Sequence, residues 1–154
     1  MTNNRELREV TITRDFDATP QVVFEDWIYP NKFCSWWGPK GHVNSHCQIH
    51  PHEGGAMLVQ MEAPDGAVRQ VKGLFHEVKP DRIVFTTYEL DEAGHPVLEV
   101  MNTVIFTGDD DQTTLSIRAQ VVNAKPEGVK YMAMMEQVWR ESLDKLAMLT
   151  EKVR

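Results

Sequence analysis

The chain has 154 residues, 42% hydrophobic and 25% charged, enough for an ordinary globular protein with a real core, expected as one domain over residues 1–154. Its formal net charge of −7 argues against nucleic acid and against an anionic membrane surface as partners. No run approaches the roughly 18 apolar residues of a membrane helix, and "MTNNRELREV" has neither a signal core nor an Arg/Ser presequence, so a cytoplasmic location is expected.

In chain order, Glu9 to Phe16 alternates, with Val10, Ile12 and the Arg14 methylenes against Thr11, Thr13 and Asp15, and predicts a first strand. "DATPQVVFEDWI" predicts a short helix, with Thr19 as N-cap and Pro20 at the first helical position. Val23, Phe24, Trp27 and Ile28 share its apolar face, and Tyr29-Pro30 ends it, because a residue before proline avoids the helical region. "NKFCSWW" predicts a second short helix capped by Asn31. Cys34 and Cys47 follow no disulfide pattern and read as free thiols in a reducing compartment.

From His46 onward, turn signals recur at short intervals: "EGG", "PDG", "KPDR", "DEAGHP" and "GDDDQ". Between them lie strand-length runs, among them Ile83 to Leu90, Val97 to Thr107 and Thr113 to Val122. Connections this short make neighbouring strands antiparallel, since a parallel crossover needs about a dozen residues or more. In the last strand Leu115, Ile117, Ala119 and Val121 fall on one face, so the sheet is covered on one side. The cover is the C-terminal segment after Pro126. Met132, Met135, Trp139, Leu143, Leu146 and Leu149 form one apolar stripe on a helix of about 24 residues, about 36 Å long. Glu136–Arg140 and Glu141–Lys145 are spaced as flanking ion pairs.

"FDATPQVVFEDWIYPNKFCSWWGPKG", "EGGAM" and "GLFHEVKPDRIVFT" resemble the signatures of the family of activator-of-heat-shock-protein-90-ATPase homologues. Ile28 and Tyr29 stand where members often carry Thr and Asp. The resemblance covers about Thr11 to Leu149 and implies an α+β, START-like helix-grip fold. In that fold a curved antiparallel sheet of about seven strands wraps a long C-terminal helix, with two short helices after strand 1. It also implies a pocket between sheet and helix.

The pair Trp36-Trp37 sits before a Gly-Pro-Lys-Gly turn, a place usually polar. Burial of one tryptophan, ~200 Å², is worth up to ~5 kcal/mol, so core packing alone justifies both. Adjacent residues in a helix point about 100° apart. One is therefore expected in the core and one at the pocket mouth. An empty gap of ~300 Å³ would cost on the order of 7 kcal/mol, so a pocket of that size persists only if occupied. The expected walls are Met132, Met135 and Trp139 from the helix and Phe75, Phe85 and Met101 from the strands, residues that serve equally well as core. Glu77, Glu89 and Glu99 lie in strands. Glu77 shares a face with Phe75, Gly73 and Val71 by alternation, and is the candidate inward carboxylate.

"HVNSHCQIHPHEGG" concentrates His42, His46, His50 and His52. On a strand, His46 and His50 are about 13 Å apart, and His50 and His52 about 6.6 Å with no third ligand, so no metal is expected. No nucleophile elbow, phosphate loop or dinucleotide fingerprint occurs, and no catalytic residue or cofactor is assigned. The favoured reading is a protein that binds a small apolar or amphipathic molecule. The alternatives are a cavity enzyme of cyclase or hydrolase type, and a co-chaperone stimulating a heat-shock ATPase. A chaperone partner and a homodimer stay open.

Overall fold

A computed structural model describes residues 8–152; the first seven residues of the stretch read above for targeting signals lie outside it. β1 (Glu9–Phe16) is followed by α1 (Pro20–Ile28) and α2 (Pro30–Trp36). Six strands come next: β2 (Val43–Ile49), β3 (Ala56–Glu62), β4 (Val68–Lys79), β5 (Arg82–Leu90), β6 (Pro96–Gly108) and β7 (Thr113–Ala124). A 3-10 turn at Pro126–Gly128 leads into α3 (Val129–Lys152). The strands form one sheet in the order β1-β7-β6-β5-β4-β3-β2, and every neighbouring pair is antiparallel. This is the helix-grip arrangement, a seven-stranded sheet closed over one long helix.

The local reasons are legible. The Thr19 hydroxyl accepts from the Val22 N–H at 3.3 Å, and Pro20 opens α1. The second helix departs from expectation. It starts at Pro30, and its cap residue is Tyr29, two residues before Asn31; Tyr29 makes no side-chain capping bond. Proline at the first helical position presets φ, so Asn31 is inside the helix. At "EGG", Gly54 has φ +84°, and a Cβ on Gly55 would lie 1.7 Å from the His50 carbonyl oxygen. The β2–β3 turn closes only because that side chain is missing.

The core lies between the sheet's concave face and α3. Leu115, Ile117 and Ala119 of β7 are fully buried, and so are Leu143 and Leu146 of α3. An aromatic cluster fills the end near α1 and α2. Trp27 meets Trp36 edge-on at 4.8 Å between centroids and stacks on Trp139 at 6.1 Å.

The expectation of free thiols is overturned. Cys34 and Cys47 form a disulfide that ties α2 to β2. Two cysteines without a spacing pattern gave no sign that a helix end and a strand would meet. The compartment reading drawn from free thiols loses its basis. Among the described residues, no helix is long and apolar enough to cross a membrane.

Candidate functional site

The site begins with the loop after α2. Trp36 is the last helical residue and Trp37 is extended, with φ −62° and ψ 137°, so the two side chains diverge. Trp36 is completely buried, and its Nε1–H donates to the Asp26 carbonyl at 2.9 Å. Trp37 stacks on Phe33 at 4.9 Å and meets Trp139 edge-on at 5.4 Å. Gly38 then turns the chain at φ +104°, a value that favours glycine.

Helix α3 holds this loop. The Gly38 N–H donates to Ser142 Oγ at 3.1 Å, and the Ser142 hydroxyl donates to the Gly38 carbonyl at 2.9 Å. The Lys40 N–H donates to Glu141 Oε1 at 3.0 Å, and Lys145 Nζ donates to the Pro39 carbonyl at 3.3 Å. The spacing of Glu141 and Lys145 predicted a pair with each other; the structure directs their hydrogen bonds at the loop. Hydrogen bonds from Gln137 and the Lys40 N–H hold the Glu141 carboxyl below its usual range. Burial pulls the Lys145 ammonium below its own. From the other side, Asn44 Nδ2 donates to the carbonyls of Cys34 at 2.7 Å and Trp37 at 3.0 Å.

Behind the loop lies a cavity of about 80 Å³ between the sheet and α3. Trp37, Gly38 and Pro39 form one wall, and Tyr131, Met135, Val138, Trp139 and Ser142 of α3 another. The sheet contributes Met61, Arg69, Val71, Thr87, Glu89, Leu98, Val100 and Asn102. At the rate measured for truncated cores, a void of this size costs about 2 kcal/mol, which a domain tolerates.

The cavity wall carries a mostly buried ion pair. An Arg69 Nη donates to Glu89 Oε1, with side-chain exposures of 16% and 13%. The Arg69 guanidinium lies over the Tyr131 ring at 4.9 Å. Glu89 Oε2 and Arg69 Nε are buried without a hydrogen-bond partner among the described residues. Burial pushes the Glu89 carboxyl above its usual range, even with Arg69 opposing. Nearby, Asn102 Nδ2 donates to Thr87 Oγ1 at 3.2 Å and to the Phe85 carbonyl at 3.3 Å, so these polar groups are satisfied.

Of the residues singled out from sequence, Trp37, Met135 and Trp139 line the cavity. Trp36, Phe75, Phe85 and Met132 are buried in the core and do not line it. Met101 lies on the outer face of β6, where its sulfur accepts from the Thr86 hydroxyl at 3.7 Å. Glu77 also faces outward. The β4–β5 register shifts between Phe75 and Glu77, so Phe75 pairs with Phe85 but Glu77 pairs with Val84. The extra residue moves Glu77 off the inner face, where alternation had placed it, and toward Lys79 at 3.5 Å and Arg82 at 3.6 Å. The inward carboxylate is Glu89. Its signal was present: Phe85, Thr87 and Glu89 alternate without interruption. Among the described residues, no three His, Cys, Asp or Glu side chains gather as a metal would need, and His50 and His52 lie beyond the end of β2.

A sheet gripping a helix, with a gap between them, defines the START-like class. Within it, the chain belongs to the family described as Activator of Hsp90 ATPase homolog 1-like protein, whose model matches residues 17–151. It is similar in structure to the AHSA1 protein of Silicibacter pomeroyi, with a TM-score of 0.82 and 21% identity over 95% of this chain and 99% of that one. A protein from Arthrobacter aurescens gives 0.81 and 22% over 98% and 90%. Protein NE0264 of Nitrosomonas europaea gives 0.76 and 18% over 95% and 96%. At these identities the likeness shows the fold alone. No curated protein matches the sequence.

Proposed function

We propose that this chain binds a small amphipathic molecule between the sheet and α3. One observation carries the reading: an apolar cavity of about 80 Å³ whose wall includes a charged pair with unpartnered polar atoms. Ligand sites are apolar hollows with a few polar groups that fix orientation, and this hollow has that composition. At about 80 Å³ it is roughly half the dry cavity of about 150 Å³ that holds benzene, so its ligand is compact and enters as the walls give. Met61 and Met135 in the walls are flexible and adjust to shape. The co-chaperone reading has the family description behind it, and no feature of the site adds to it.

The test is a thermal-shift screen of small alcohols, amides and aromatics on the parent and on Met135→Trp, which fills the cavity. A ligand of the native protein raises the melting temperature with the logarithm of its concentration once past its dissociation constant. The parent is expected to respond and the variant to stay flat. No shift in the parent, or equal shifts in both, refutes the reading.

A further inference from the structure

The chemistry of the cavity wall narrows the ligand, on the premise that the cavity is a binding site. Arg69 and Glu89 share one hydrogen bond and neutralise each other. Among the described residues, each keeps one buried polar atom without a partner, a donor at Arg69 Nε and an acceptor at Glu89 Oε2. Two such orphans in one pair are costly, and natural cores rarely keep them. The other polar groups on this stretch of wall do not relieve them. Thr87 and Asn102 bond each other, and Ser142 is engaged with Gly38.

We propose that the ligand carries one neutral group that both donates and accepts, a hydroxyl in the simplest case, which gives its proton to Glu89 Oε2 and accepts from Arg69 Nε. Its apolar body then lies against Val71, Leu98, Val100 and Met135. The raised Glu89 carboxyl fits the same picture, since a buried carboxylate short of donors resists ionisation. A carboxylate ligand meets the charge of Glu89, and an ammonium meets that of Arg69. The pair therefore selects against both ions.

The experiment follows the methionine methyl signals of Met61 and Met135 by NMR during titration with 1-butanol, 1-chlorobutane, butyrate and butylammonium. These share a four-carbon body and differ in the head group. The alcohol is expected to bind at least about 10-fold more tightly than any of the other three, the size of one hydrogen bond to a charged group. In the double variant Arg69→Met/Glu89→Leu, an apolar pair of similar volume, that preference is expected to vanish while 1-chlorobutane still binds. The parent series decides without the variant, should the variant fail to fold. Equal binding of 1-butanol and 1-chlorobutane refutes the hydroxyl anchor and leaves the pocket standing, as does a preference retained by the double variant. Tighter binding of either ion also refutes the anchor. If none of the four moves either methyl signal, the pocket itself is refuted and the anchor with it.

Discussion

Reducing the Cys34–Cys47 disulfide should destabilise the protein by a calculable amount without unfolding it. The bond closes a loop with a sequence separation of 13. In the chain-entropy account, a cross-link of that span removes about 3 kcal/mol worth of freedom from the unfolded chain. The native side changes little, because Asn44 still bonds the Cys34 and Trp37 carbonyls, and Ser142 still holds Gly38. With a urea m-value of about 2 kcal/mol/M, the midpoint should fall by about 1.5 M. The measurement compares parent, reduced parent and Cys34→Ser/Cys47→Ser in urea, with thiol titration of the denatured parent before reduction. Reduced parent and double variant should coincide. Two titratable thiols in the parent before reduction, together with an unmoved midpoint, would refute both the bond and the reasoning.

Four further outcomes are expected. Trp36→Ala should cost about 3–5 kcal/mol, while Trp36→Phe, which keeps the ring packing but leaves the Asp26 carbonyl without its donor, should cost about 1–3 kcal/mol; urea midpoints measure both. Gly55→Ala should destabilise by well over 1 kcal/mol, because its Cβ lands on the His50 carbonyl; Gly66→Ala, whose Cβ meets nothing but whose φ is +89°, should cost less, about 1 kcal/mol. Asp26 is buried, and desolvation raises its carboxyl pKa despite the Thr150 hydroxyl and Lys32. As pH rises from the ordinary carboxylate range, the unfolded chain gives up that proton first, so the folded state loses stability until Asp26 ionises in it as well; Asp26→Asn should flatten that part of the stability–pH curve. Ser142→Ala should lower the melting temperature modestly and loosen Trp37, seen as a change in tryptophan emission, because both Gly38 polar groups lose their partner.

The architecture was legible because its signals are local. Each turn of the sheet carries its own Gly, Pro or Asp, and the apolar stripe of α3 repeats at helical spacing from Met132 to Leu146. The site was legible in part. Trp37, Met135 and Trp139 stand on strong local patterns and line the cavity. Glu77 failed because a β-bulge inserts one residue without any mark in "FHEVK", and every position beyond it changes face. Met101 departs for a different reason: its apolar character suggests an inward side chain, yet alternation with Val100 and Asn102, both buried, puts it outside. The disulfide and the Ser142 latch were invisible, since each depends on which segments meet in the folded chain, and no local pattern records that.

The latch on the loop also bears on how the protein breathes. Two of the loop's amide protons, on Gly38 and Lys40, are held by side chains of a helix about a hundred residues downstream. The Gly38 bond is buried, so its exchange with solvent deuterium requires α3 to shift away from the loop, whereas the exposed Lys40 bond opens when the Glu141 side chain rotates. The Gly38 amide should exchange at the rate of the backbone amides around Ser142 in mid-helix, well behind the amide of Lys40. A molecule entering between sheet and helix would slow the Gly38 and mid-helix amides together, so a surface loop would act as the reporter for events in the interior.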